Sequence, residues 1–171
     1  RLHAHAAAQL VSPDMRPMAW DRAFYFAHEP VVVYAASHAH LFTPAQVAAI
    51  HSAERSVNPV IADLFQRGQD GPMLIHGDLH PDNVHMHRGT AWVLDFEDLM
   101  WGFPAQDIAV SLYQARVSAG ADYVALREAF RAGYERVRPW PIAAEAQLEA
   151  LFTARTLMFI NYCANNTHDP G

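Results

Sequence analysis

The chain has 171 residues, 51% of them hydrophobic on a broad count, which is about one domain's worth with enough apolar side chains for a real core. Twelve basic against 18 acidic residues give a net charge of −6 with histidine neutral, and this argues against a nucleic-acid surface, which needs a basic patch. A single cysteine, Cys163, excludes an internal disulfide and suits a reducing cytosol, and the apolar run 157–164 is far too short to span a bilayer. A cytoplasmic protein with neither nucleic-acid nor membrane partners is the expectation.

In chain order, residues 1–10 read as a helix. Residues 11–41 are rich in Pro, Met and aromatics and show no clear period; 31–34 fits a strand or a buried apolar run. Thr43 is a helix N-cap candidate, with Pro44 at the first helical position, where its missing N–H costs nothing. That helix runs toward Arg67 with Val47, Ile50, Val57, Ile61 and Leu64 on one face. Pro59 is expected to kink or interrupt it. Residues 68–72 end it.

Two short apolar runs, Met73–Ile75 and 91–94, then read as strands, with an Arg88-Gly89 turn before the second. Pro104–Ala119 is apolar on several faces, as befits a buried helix. Residues 122–137 place Tyr123, Leu126, Phe130, Tyr134 and Val137 on one helical stripe, with Asp122 as the N-cap candidate. Pro139-Trp140-Pro141 breaks the chain. A last helix over 143–162 carries Leu148, Leu151, Phe152, Phe159 and Tyr162 on its apolar side, and Cys163 is expected in the core. The fold class is α+β, mostly α, with a small β-hairpin.

The chemistry lies between Ile75 and Asp98, I-H-G-D-L-H-P-D-N-V-H-M-H-R-G-T-A-W-V-L-D-F-E-D. Its polar residues fall where strands end, the usual place for chemistry on a rigid scaffold. Phosphoryl transfer asks a protein to position the acceptor hydroxyl and to neutralise phosphate charge. Asp78, at the start of a short loop, can accept the hydroxyl proton. Asn83 and Asp95 can offer hard oxygens to Mg²⁺, which takes a few such ligands and leaves the rest to water and phosphate.

Three blocks carry a resemblance: H-G-D-L-H-P-D-N (76–83), V-L-D-F-E-D (93–98) and G-F-P-A-Q-D-I-A (102–109). They resemble the aminoglycoside phosphotransferase and choline kinase group, a branch of the protein-kinase-like fold. The match is strong over about 73–113. In protein kinases the loop reads H-R-D-L-x-x-x-x-N and the metal Asp lies in D-F-G; here Gly77 replaces the Arg and Glu97 the final Gly.

The resemblance implies ATP and Mg²⁺ as cofactors and a small-molecule hydroxyl as acceptor. It makes Asp78 the catalytic base and Asn83 and Asp95 the metal ligands. Asp107 becomes the carboxylate that braces the catalytic loop, and His76 a structural member of that loop. Glu97, Asp98, Trp101 and Tyr162 become candidate acceptor contacts, together with Phe103, Asn161, Asn165 and Asn166. Each also has a plainer role, in loop bracing, core packing or helix capping.

No glycine precedes Gly68, and no lysine-bearing strand such as V-A-I-K occurs. The expectation is therefore a single unit over 1–171, the helical C-terminal lobe of a longer kinase. Its missing N-terminal lobe would be the partner that covers the nucleotide.

Other functions stay open. A bacterial stress-type Ser/Thr protein kinase shares the same loop, and a kinase-like lobe can serve as a non-catalytic binding module. Eleven histidines raise a metal-dependent hydrolase. However, H-G-D-L-H contains Gly and is followed by Pro, so His76 and His80 do not share a helix face, and there is no H-E-x-x-H. His85 and His87 share one face of a strand without a predictable third ligand.

Overall fold

The computed structural model describes residues 1–8, 18–26, 29–67 and 71–167. The fold is α+β and mostly helical. In order come α1 (Leu2–Ala6), β1 (Met18–Ala19), α2 (Pro44–Arg67), β2 (Met73–Ile75), β3 (Val84–His87), β4 (Thr90–Val93), β5 (Met100–Gly102), α3 (Pro104–Ala119), α4 (Tyr123–Glu135) and α5 (Glu145–Asn165). Among the described residues no helix is long and apolar enough to cross a membrane.

The core forms where α5 packs between α2 and α3. Val57 and Ile61 of α2, Ile108 and Leu112 of α3, and Leu148, Leu151 and Phe152 of α5 are all buried there. The first of the predicted helices falls at Leu2–Ala6, and residues 9 and 10 lie outside the described part. Thr43 caps α2 as expected. Its Oγ1 accepts from the Gln46 N–H at 3.3 Å while Gln46 Oε1 accepts from the Thr43 N–H at 2.8 Å, a reciprocal capping box.

Pro59 does not interrupt α2, contrary to expectation: the helix is continuous from Pro44 to Arg67. Pro59 is exposed, as is Arg55, whose carbonyl loses its partner, so water can serve that carbonyl. The apolar face on either side of it, Val57 and Ile61, is buried and holds the helix together.

Residues 31–34 form no strand; they lead into a turn at 33–34, with Val32 and Val33 buried. Asp122 does not cap α4. It already has helical dihedrals (φ −84°, ψ −4°) within a 3-10 turn, Gly120–Asp122, whereas a cap needs extended backbone.

Two small sheets frame the loop between β2 and α3. β3 and β4 form the predicted hairpin, with Val84 opposite Val93 and His87 opposite Thr90. The run 73–75 does not join it. β2 instead pairs antiparallel with β5, which pairs parallel with β1, in the order β1-β5-β2. This second sheet was not expected from the sequence, because two- and three-residue strands leave no readable period.

On α5 the buried stripe includes Leu148, Leu151, Phe152, Arg155, Met158 and Asn161. Phe159 and Tyr162, expected on the apolar side, are 37% and 47% exposed, just past its edge. Cys163, expected in the core, is exposed as well.

Candidate active site

The loop between β2 and β3 begins at His76, and Asp107 holds its first two residues. Asp107 sits in the first turns of α3 and is fully buried. Its Oδ2 accepts from the His76 N–H at 2.9 Å and its Oδ1 from the Gly77 N–H at 2.8 Å. A third partner comes from the other end of the chain. His3 of α1, also buried, places Nε2 2.9 Å from Oδ2, and its Nδ1 lies 3.1 Å from the Tyr134 hydroxyl on α4. Ser111, one turn further along α3, donates to the Leu79 carbonyl at 2.5 Å. One helix therefore fixes the loop at three successive places.

Gly77 has φ +81°, and a Cβ there would stand 2.4 Å from the Asp98 carbonyl oxygen and 2.6 Å from the Met100 methyl. The left-handed backbone alone costs a side chain on the order of 1–3 kcal/mol. Gly77→Ala is expected to lower unfolding free energy in urea by at least that amount; an unchanged midpoint would mean the loop can run elsewhere.

His76 is buried and its Nε2 donates to the Leu94 carbonyl at 2.8 Å. That bond fixes the tautomer, so Nδ1 is the acceptor for the Asp78 N–H at 3.3 Å. Leu94 is held from its other side too, since its N–H donates to the Asn83 carbonyl at 2.9 Å. The peptide before Asp95 is thus pinned between His76 and Asn83. Asp95 follows with φ +58°, a left-handed conformation that Asp tolerates better than most residues. His76 therefore joins the loop to the end of the hairpin.

Asn83 donates from Nδ2 to the Asp78 carbonyl at 2.9 Å and lies 3.3 Å from Asp78 Oδ2. Its amide oxygen is the atom that could face a cation. With the exposed Asp95 carboxylate beyond the same pinned peptide, the pair offers two hard oxygen donors. That donor chemistry fits Mg²⁺, which asks the protein for only one or two ligands beside substrate phosphates.

Asp78 is partly buried, with its side chain 22% exposed, and both its oxygens are engaged. Arg155 of α5 pairs with Oδ1, and His80 Nε2 lies 3.2 Å from Oδ2. The Arg155 guanidinium is only 4% exposed, donates to the Tyr25 hydroxyl at 3.1 Å, and lies 4.4 Å from the Phe159 ring centroid. Burial works against the Arg155 charge, but Tyr25 and Asp78 more than offset it and raise its pKa overall. Burial pushes the Tyr25 hydroxyl up to about 12, with Arg155 pulling the other way, so Tyr25 stays protonated at neutral pH.

Beside these partners lies a cavity of 180 Å³ lined by His80, Asp82, Tyr113, Gln114, Arg155 and Phe159, among others. On the hairpin, His85, His87, Trp92 and Leu94 line an open depression of 490 Å³.

The other predicted contacts are scattered. Glu97 is exposed and Asp98 half-buried beside Gly77. Trp101 lies in the middle strand of the three-stranded sheet, opposite Leu74 and Ala19, and Phe103 is buried edge-on against Phe65. Tyr162 is exposed and does not line the cavity by Asp78. Asn161 is a structural staple: Oδ1 accepts from the Val32 N–H at 2.8 Å and Nδ2 donates to the Pro30 carbonyl at 3.0 Å. Asn166 ends α5, its Nδ2 donating to the Tyr162 carbonyl at 2.9 Å.

Sequence reasoning missed Arg155, Tyr25 and His3. Arg155 did leave a signal, a lone charge at the helical spacing of the apolar stripe Leu148–Leu151–Phe152. Tyr25 and His3 left none.

The motif spacing, the bracing of the loop and the mostly helical architecture point one way, and the comparison with known proteins agrees: the chain belongs to the Phosphotransferase enzyme family, whose profile matches residues 2–140. It is 36% identical over 103 residues to a homoserine kinase of Phenylobacterium zucineum (strain HLK1), an alignment that takes in 58% of this chain and 32% of that protein. The chain thus spans about a third of the length of the curated relative it matches. No solved structure matches it.

Proposed function

We propose that this chain carries the acceptor and metal side of an ATP-dependent small-molecule kinase, which moves the γ-phosphoryl group to an alcohol. One observation carries the reading: Asp78 stands at the head of a loop fixed by Asp107, with Asn83 bonded to it and tied through Leu94 to the peptide that enters Asp95. Asp78 then acts as the base that takes the acceptor's hydroxyl proton, and Asn83 and Asp95 hold Mg²⁺. The ion, bound with ATP, supplies charge neutralisation on the phosphates. The exposed hairpin face with Trp92 and Leu94 suits one side of a flat nucleobase.

The favoured acceptor is an amino-acid alcohol of homoserine size. The relative's name supports this, and His80, Asp82 and Arg155 line a cavity of 180 Å³ beside the partners of Asp78. Choline-like and aminoglycoside acceptors are the alternatives.

The test is phosphoryl transfer from Mg·ATP by the natural full-length protein that includes this chain, with homoserine, choline, an aminoglycoside and a generic protein substrate. Transfer to homoserine is expected, and transfer to the protein substrate alone would replace the reading with a protein kinase. Asp95→Ala is expected to weaken Mg²⁺-dependent nucleotide binding by roughly 100-fold or more, since even outer-shell partners of a metal cost 10- to 100-fold. Equal affinity in the variant and wild type would sink the metal assignment.

A further inference from the structure

We propose that Arg155 is the positioning residue of this site: it clamps Oδ1 of Asp78 and leaves Oδ2 as the oxygen that meets the acceptor hydroxyl. The inference rests on the reading of Asp78 as the base.

The two oxygens of Asp78 have different surroundings. Oδ1 faces a buried guanidinium, while Oδ2 faces the amide of Asn83 at 3.3 Å and the half-buried ring of His80 at 3.2 Å. His80 and Arg155, the two residues that flank the carboxylate, also line the 180 Å³ cavity. A free Asp carboxylate turns easily about its last torsion, which has broad, roughly two-fold wells. An ion pair to one oxygen removes that freedom.

Arg155 is itself held on three sides. Asp78 takes one nitrogen, and the Tyr25 hydroxyl accepts from the other at 3.1 Å. The Phe159 ring lies 4.4 Å from its Cζ. Tyr25 is 1% exposed and stacks on Trp20 at 4.2 Å, and the Trp20 backbone N–H donates to the Trp101 carbonyl at 2.9 Å. The clamp therefore runs from the three-stranded sheet, through two stacked rings and a guanidinium, to one carboxylate oxygen. A surface ion pair has no such support, and a lysine lacks the planar fork that makes these contacts together.

In the step this geometry serves, the acceptor O–H bond breaks and its proton passes to Oδ2. The acceptor oxygen forms the new bond to phosphorus as the bond to the departing ADP breaks. Arg155 exchanges no proton with either reactant and keeps its charge throughout. It acts through the direction in which Oδ2 points.

The experiment uses the full-length protein with Arg155→Met, Arg155→Lys, Arg155→Ala, Tyr25→Phe and Asp78→Asn. Steady-state turnover of Mg·ATP is measured with homoserine and with water as acceptor, and folding is followed by thermal melting. Arg155→Met is expected to lower kcat on the order of 100-fold, the penalty of a small misplacement, with the KM for ATP and homoserine within a few fold. Arg155→Lys should fall between, Tyr25→Phe should lose several fold, and added guanidinium should restore part of the activity of Arg155→Ala. A purely structural arginine would show none of that rescue.

Wild-type kcat in folded Arg155→Met or Arg155→Lys, with Asp78→Asn inactive, would overturn the clamp alone. A raised homoserine KM with unchanged kcat would make Arg155 an acceptor ligand and also overturn it. Wild-type turnover in Asp78→Asn would remove the reading of Asp78 as the base and the clamp with it, and no transfer by wild type to any of the four acceptors above or to water would remove the kinase reading and the clamp together.

Discussion

Asp78→Asn is expected to lower kcat by about 10²–10⁴, the usual worth of a positioned general base, while Mg·ATP affinity stays within a few fold. The substitution keeps the side chain's size and leaves an amide oxygen to accept from Arg155, so the fold should survive it. Alanine is a poorer probe. It strands the buried Arg155 charge, and breaking one partner from a buried pair costs roughly 3–5 kcal/mol, so lost activity could be lost folding. Asn83 and Asp95 remain in Asp78→Asn, which is why nucleotide binding should persist. The measurements are acceptor-dependent turnover and nucleotide affinity on the same preparation. A kcat within tenfold of wild type would remove Asp78 from the role of base.

Asp107→Ala should have the largest effect on stability. Three buried donors converge on this carboxylate: the N–H groups of His76 and Gly77 and the Nε2 of His3. A buried polar group left without a partner costs ~1–3 kcal/mol, so a loss on the order of 4 kcal/mol is expected. That is a large share of a typical domain's 5–15 kcal/mol. Asp107→Asn should do less harm, because one acceptor oxygen remains and its amide nitrogen serves the other side badly. Urea denaturation of both variants checks the order. A loss below about 1 kcal/mol in Asp107→Ala would mean that water or a shifted loop satisfies these donors.

Much of the site could be read from the sequence because it is local. The residues from His76 to Asp95 lie within one loop and one hairpin, so their spacing alone states their relation. The helix Pro104–Ala119 was equally plain: Pro at its first position and Gly120 just past its end mark both boundaries. What stayed hidden was long-range. Nothing near Asp78 in the chain points to Arg155, which lies 77 residues away, or near Asp107 to His3, 104 residues away. Pro59 misled because a rule about hydrogen bonds in the helix interior says nothing of which side faces water. Phe159 misled because an apolar side chain was taken for a core one, when it stands at the stripe's edge beside a guanidinium and a cavity.

The two long-range ties to the loop also have a kinetic meaning. Helices of this kind wind in microseconds or less, but bringing Arg155 to Asp78 closes a segment of 77 residues and His3 to Asp107 one of 104. Each doubling of a closed loop adds only about 0.6 kcal/mol of entropy cost, yet that cost falls due before the contact forms, and such closures slow folding. Asp78 therefore gains its Arg155 partner only once α5 has docked, and Asp107 gains His3 only once α1 has. A chain whose helices have wound but not yet docked still lacks both ties, and the loop reaches its full set of partners only when both ends of the chain have come in.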